Sequence, residues 1–297
     1  MTLLVFLVAV LIGGSNFVAV RFSNAELEPF WGAGLRFSLA AALLLVASLV
    51  FRLGLPAGRP ALTGAVVYGT LGFGASYAFM YRALIEAPAA LAAIFIALVP
   101  LLTLLLAIAH GLERFNWRGL AGALVAVAGV FVVFADRAGG AVGIGSLLAL
   151  LAAALCIAES AVAAKLYPRA HPVAYNAVAM VPGALLLLAL SLIAGESWAL
   201  PSQNATWVAL AYLVVLGSTA LFVAFLFVLG RWTASATSYA TVLFPIVAAV
   251  VGALVAGEAI STGLVAGGTL VVAGVYVGAL APVAAPVPLP ESAARAS

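Results

Sequence analysis

The chain reads as an all-α polytopic membrane protein, with ten transmembrane helices arranged as two inverted five-helix repeats. Three observations predict this. Of 297 residues, 67% are hydrophobic and 7% charged, with a mean hydropathy of +1.30, too little charge to cover a water-exposed surface. The apolar residues fall in runs of about 20, each long enough at 1.5 Å per residue to cross ~30 Å of hydrocarbon. The chain also matches itself, weakly but in register, 145 positions further on. Pro100 falls on Pro245, Glu113 on Glu258 and Gly122 on Gly267, while Leu71-Gly72 falls on Leu216-Gly217. Val127-Ala128-Gly129-Val130 falls on Val272-Ala273-Gly274-Val275 without a gap.

The spans read, in order, as 2–21, 29–51, 61–82, 88–110, 117–135, 143–166, 172–194, 205–230, 233–256 and 262–281. Short polar turns separate them, among them Glu26-Leu27-Glu28-Pro29, Glu86-Ala87-Pro88 and Gly195 to Asn204. The first repeat covers 1–138 and the second 139–281. The tail 282–297, rich in Pro and Ala, reads as disordered and cytoplasmic. The N-terminus enters the first span without a basic leader, so no cleaved signal peptide is expected. Basic residues are asymmetric. Arg52, Arg59, Arg114, Arg118, Lys165, Arg169, Arg231 and Arg295 fall on the side of the N-terminus, against Arg21, Arg82 and Arg137 opposite. The positive-inside rule places both termini in the cytoplasm.

Five spans are an odd number, so the second repeat enters the membrane from the other side. An inverted repeat puts the functional centre between the halves, near the midplane. Polar residues inside spans are the best pointers to it, since hydrocarbon penalises them. Two ionisable residues lie well inside spans, Arg36 in span 2 and Glu159 in span 6, each ~10 Å deep. Arg36 has an ordinary use, snorkelling outward or holding helix carbonyls. Glu159 has less reach and should face a cavity or a partner.

In span 1, Gly13-Gly14-Ser15-Asn16 interrupts an apolar run, suiting a hinge with two substrate-facing hydrogen-bonding groups or close helix packing. A shift of 144 sets Ser15 on Glu159. In span 3, Phe73, Tyr77 and Tyr81 share one helix face, matched by Ser218 and Phe222 in span 8. Span 9 carries a polar cluster that includes Tyr239 and Thr241. These aromatic and polar stripes read as substrate-binding or as packing. Pro100 and Pro245 lie mid-span, where a missing N–H kinks a helix, either as a hinge or as a static bend.

Other chemistry finds no residues. The lone lysine, Lys165, belongs to no Walker A loop, so ATP is not a partner. His110 and His171 sit at helix ends without a second ligand at metal spacing, and the single Cys156 lies in an apolar run. No basic cluster suggests nucleic acid, and no catalytic set assembles. No cofactor or metal is expected.

The Gly-Gly-Ser-Asn-Phe run in span 1 and the Pro-then-Glu-then-Gly-rich pattern ending each half complete a resemblance over residues 1–281. The chain resembles the drug/metabolite transporter superfamily, more narrowly its EamA-type exporters, and is similar to the YddG-type amino-acid exporters of bacterial inner membranes. That resemblance implies alternating access in a basket of spans 1, 3, 4, 6, 8 and 9. It also implies export of amino acids, aromatic ones included, and related metabolites; separately, a monomer is expected. A sugar-phosphate or nucleotide-sugar exchanger of the same superfamily is the alternative, thinly supported by Arg36 alone. A channel or a non-transporting membrane subunit is the third reading.

Overall fold

Apolar runs this long leave the backbone one way to satisfy its own polar groups in lipid, the helix. The computed structural model describes residues 1–84, 86–87, 89–134, 142–168, 170–256 and 262–280, and among them no strand occurs. Span 1 is α1 (Thr2–Ser23) and span 2 is α2 (Pro29–Val50). Span 3 is α3 (Arg59–Gly69), a π-helical turn Thr70–Ala75 and α4 (Ser76–Leu84). Span 4 divides into α5 (Ala89–Ile96) and α6 (Val99–Ala109), and span 5 is α7 (Trp117–Phe134).

The second half repeats the plan. Spans 6 and 7 are α8 (Ile144–Leu166) and α9 (Pro172–Ala194). Span 8 is α10 (Asn204–Val214), a π-helical turn Val215–Ala220 and α11 (Leu221–Leu229). Span 9 is α12 (Ala234–Ser238) and α13 (Ala240–Ala256), and span 10 is α14 (Thr262–Val275) with a π-helical end Tyr276–Leu280. Seven of these stretches are long and apolar enough to cross a membrane, and Trp117–Val133 and Val265–Leu280 are shorter apolar helices. Glu258 and the tail lie outside the described residues.

Pro100 occupies the first turn of α6, so span 4 breaks at Ala97–Leu98, just ahead of the proline. That position suits it, because the first-turn N–H has no helical acceptor to lose. In span 9 the break falls at Tyr239, and Pro245 stays inside α13.

Packing repeats between the halves. Span 2 packs on span 7 and span 5 on span 10, while span 1 against spans 8 and 9 mirrors span 6 against spans 3 and 4. The glycines show the direction. A Cβ on Gly122 would strike the Gly274 carbonyl at 2.7 Å, and one on Gly129 the Gly267 carbonyl at 2.7 Å. As one helix is followed forward the other is met in reverse, so spans 5 and 10 run antiparallel. Gly122 and Gly267 are repeat mates, as are Gly129 and Gly274, so the two contacts are images of each other. Small residues let such backbones meet where the hydrophobic effect cannot drive them together.

Loop carboxylates are spent on helix starts, where backbone N–H groups lack partners. Glu196 accepts from Phe30 N at 3.1 Å and Trp31 N at 2.7 Å, at the first turn of α2. Glu26 accepts from Gln203 N at 3.1 Å, from Ser202 N at 3.3 Å and from the Ser202 hydroxyl, beside α10. Led by the Ser202 hydroxyl, these bonds hold the Glu26 carboxyl down at about 2. Glu113 accepts from the backbone N–H and hydroxyl of Ser235 before α12. Each clamp ties one half of the chain to the other.

Candidate functional site

The two π-helical turns, Thr70–Ala75 and Val215–Ala220, stand 145 positions apart, in step with the sequence repeat. A π turn shifts the backbone ladder and frees carbonyls to accept from elsewhere. At the second turn two side chains use one of them. Asn16 Nδ2 donates to Gly217 O at 3.0 Å and Arg36 Nη2 donates to the same oxygen at 2.9 Å. Arg36 Nε donates to Ser218 Oγ at 2.7 Å. The guanidinium is 3% exposed and pinned inward, holding a carbonyl rather than snorkelling to the surface.

Aromatic rings pack beside it. Phe37 lies 5.2 Å from Phe73, 5.0 Å from Tyr77 and 6.4 Å from Phe222, measured between ring centroids. Phe73 and Phe222 meet edge-on at 4.6 Å. The Arg36 guanidinium carbon stands 5.0 Å from the Phe37 ring and 5.9 Å from that of Tyr77, within cation–π range. The i, i+4 spacing of Phe73 and Tyr77 therefore turns both toward Phe37, although a π turn intervenes. Asn16, Phe73, Tyr77 and Phe222 come together, joined by Arg36, Phe37 and Ser218.

Glu159 occupies the other half of the interior. Its Oε1 lies 3.4 Å from His110 Nε2 at the end of α6, both side chains being about one-third exposed. His110 Nδ1 is 2.9 Å from Leu106 O, one turn earlier in its own helix. Glu159 Oε2 is buried without a hydrogen-bond partner among the described residues. The next residue, Ser160, has its Oγ 3.1 Å from where a Cβ on Gly72 would stand, so this pair borders the first π turn. Glu159 and Arg36 form no ion pair with each other.

The remaining expected positions lie elsewhere. Ser15 Oγ donates to Leu11 O of its own helix at 2.8 Å. α1 runs unbroken through Gly13 and Gly14, which seat Phe244 and Val247 of α13 against its backbone. Tyr239 is 1% exposed, packs with Ala123, Ala126, Val271 and Val275, and donates to Gly119 O at 2.8 Å. Thr241 Oγ1 donates to Ser238 O at 2.8 Å. A separate cavity of about 360 Å³ lies between Pro172 and Tyr175 of α9 and Leu226, Phe227 and Arg231 at the end of α11. Among the described residues no three His, Cys, Asp or Glu side chains gather as metal ligands. Sequence reasoning passed over Phe37, which carries no polar signal, and His110, whose partner is distant in the chain.

A membrane chain with polar groups buried at paired π turns fits a carrier, and its likeness to known proteins is definite. The sequence model of the EamA-like transporter family matches residues 1–135 and again residues 143–279. The chain belongs to this family. It is thus a transporter of the drug/metabolite transporter superfamily. Among its relatives is the uncharacterized inner membrane transporter YedA of Escherichia coli (strain K12). The two are 31% identical over 259 residues, covering 84% of this chain and 81% of the relative. A probable amino-acid metabolite efflux pump of Salmonella typhimurium is 27% identical over 283 residues, covering 91% and 92%. A solved crystal structure shares the fold, with a TM-score of 0.78, 23% identity and coverage of 94% and 96%.

Proposed function

We propose that this chain exports amino acids, aromatic ones included, by alternating access across a bacterial inner membrane, with both termini in the cytoplasm. The observation that carries the reading is the Glu159–His110 pair, a carboxylate inside a span with an imidazole nitrogen 3.4 Å from it. Intramembrane carboxylates mark substrate and proton paths, because hydrocarbon selects against them otherwise. One carboxylate oxygen has no hydrogen-bond partner among the described residues, which leaves an acceptor for a substrate donor. The partly buried rings of Tyr77 and Phe222, backed by Phe37, supply a wall for an apolar side chain. The efflux pump of Salmonella typhimurium, similar over most of its length, supports the substrate class.

Counterflow of labelled amino acids in proteoliposomes tests this, with wild type beside Glu159→Gln. Gln keeps shape and hydrogen bonding but holds the charge at zero. Flux falls about tenfold or more, the equivalent of ~1.4 kcal/mol, and what remains loses its pH dependence. A folded Gln variant with wild-type flux and pH profile overturns the role of Glu159. Absence of counterflow by any amino acid in the wild-type chain overturns the substrate class.

A further inference from the structure

Arg36 sits deeper in protein than Glu159 and, among the described residues, is relieved by two rings and two neutral acceptors but by no carboxylate. Its side chain is 3% exposed inside a span. Among the described residues the ion pairs are Arg82–Glu86 and His110–Glu159, and neither involves it. Glu196, at the head of the same helix, is occupied by Phe30 N and Trp31 N. Two neutral acceptors, Ser218 Oγ and Gly217 O, take Nε and Nη2, and Nη1 has no acceptor among the described residues. A full positive charge in low-dielectric surroundings is strongly unfavourable without a counter-charge.

The packing does not require this cation. α2 begins at Pro29 and α9 at Pro172, so Arg36 and Ala179 are each the eighth residue of equivalent helices. Around the first π turn the same helix-on-helix contact is made by small groups. The Ala179 carbonyl lies against Gly69, and a Cβ on Gly183 would stand 2.6 Å from Phe73 Cβ. One half of the molecule thus closes this contact without charge, while the other carries a guanidinium.

Two further groups at the charged turn are also unfilled. Thr219 Oγ1 and Asn16 Oδ1 are buried without hydrogen-bond partners among the described residues. Thr219 belongs to the same π turn as Gly217 and Ser218, and Asn16 shares the Gly217 carbonyl with Arg36. A guanidinium N–H, a hydroxyl and an amide oxygen, each without a hydrogen-bond partner among the described residues, therefore border the same π turn.

We infer that this turn is the seat of the substrate's free carboxylate, held by Arg36 Nη1 and the Thr219 hydroxyl. Asn16 Oδ1 stands beside it as the acceptor an adjacent α-ammonium needs. The carboxylate supplies the counter-charge the fold withholds, and charge-assisted hydrogen bonds of this kind are the stronger ones. The site deepens the amino-acid reading above and rests on it for the ammonium end only. It predicts discrimination by charge: α-amino acids bind, whereas their methyl esters, amides and decarboxylated amines do not.

The test is thermal stabilisation of the purified chain in detergent, which reads binding without transport. The probes are phenylalanine, its methyl ester, its amide, phenethylamine and 3-phenylpropionate, against wild type, Arg36→Gln and Arg36→Lys. Phenylalanine stabilises wild type, and the three probes lacking a carboxylate bind about tenfold more weakly or worse. In Arg36→Gln the acid loses that advantage, and Arg36→Lys retains part of it. Equal stabilisation of wild type by acid and ester overturns the inference and leaves the amino-acid reading standing. Stabilisation by 3-phenylpropionate through Arg36, but not by phenylalanine, keeps the carboxylate site and overturns the amino-acid reading. Failure of every carboxylate overturns both. The ligand series is read on wild type, so it decides the matter even where a variant fails to fold.

Discussion

Gly72 and Gly217 are repeat mates, each inside a π-helical turn and each meeting a polar residue of a neighbouring helix, Ser160 for the first and Asn16 for the second. Asn16 and Ser160 are themselves 144 positions apart in helices that head the two repeats. The pseudo-symmetric frame is thus preserved down to single contacts, while the chemistry differs: an amide faces one turn and a hydroxyl the other.

That difference gives the first prediction. A Cβ on Gly217 collides with the Asn16 amide, which could move away only by giving up its hydrogen bond to the Gly217 carbonyl. On Gly72 it meets Ser160 Oγ at 3.1 Å and Cβ at 3.2 Å, tight contacts that a shift of a few tenths of an ångström relieves. Gly217→Ala therefore destabilises by about 1–3 kcal/mol, the usual cost of overpacking, and Gly72→Ala by less. Thermal midpoints in detergent compare the two. Adding Asn16→Ala to Gly217→Ala recovers stability, and a double variant no better than the single one removes Asn16 as the cause.

The aromatic cluster separates packing from specificity. Phe73 is fully buried, with rings of Phe37, Tyr68 and Phe222 around it. Phe73→Ala is expected to cost about 3–5 kcal/mol and to show as lost folded protein rather than altered selectivity. Tyr77 and Phe222 are only partly buried against the same core. Tyr77→Leu and Phe222→Leu keep much of the volume but remove a ring face, worth ~0.5–1.5 kcal/mol in an aromatic contact. Export of phenylalanine should fall several-fold relative to alanine. An unchanged ratio in both variants returns these residues to packing alone.

The sequence carried the frame further than the site. Hydropathy located the rods because lipid enforces it, and the match of Leu71-Gly72 with Leu216-Gly217 marked both π turns without revealing their geometry. Phe73, Tyr77 and Phe222 were legible because helical spacing survives one π turn. Arg36 was visible as a charge, but whether it snorkels or turns inward depends on which helix lies beside it. The His110–Glu159 pair joins residues 49 positions apart, and no local pattern announces that α6 ends beside α8. Tyr239 shows the reverse: its polarity stood out in the chain, and its hydroxyl is satisfied by Gly119 of α7.

Orientation yields a prediction independent of the site. Glu113, beside Arg114, clamps the start of α12, whereas Glu196, beside Ser197, clamps the start of α2. Counting spans sets these two clamps on opposite membrane faces. In a Cys156→Ala background, Arg114→Cys and Ser197→Cys both introduce thiols at exposed loop positions. An impermeant thiol reagent applied to intact cells labels Ser197→Cys, and Arg114→Cys only after the membrane is opened. Labelling of both from outside would undo the span count and the cytoplasmic termini with it.

The last prediction concerns acid. Glu26 has its carboxyl held down to about 2 by the Ser202 hydroxyl first, then by Thr206 and the backbone N–H groups of Gln203 and Ser202. The unfolded chain binds this proton near the ordinary carboxylate value of about 4.3, whereas the folded chain resists it. A lowered folded-state value means that the clamp contributes in full above the ordinary value, and that its contribution is lost as pH falls toward about 2. Because the carboxyl is exposed, solvent screens the effect and the expected change is small. Other carboxylates titrate in the same window, so the measurement is a difference between two proteins. The thermal midpoint of wild type should exceed that of Glu26→Gln at neutral pH, and the gap should narrow as pH is lowered from about 5 to about 3. A gap constant across that range assigns the loss in Glu26→Gln to geometry at the start of α10 rather than to the charge.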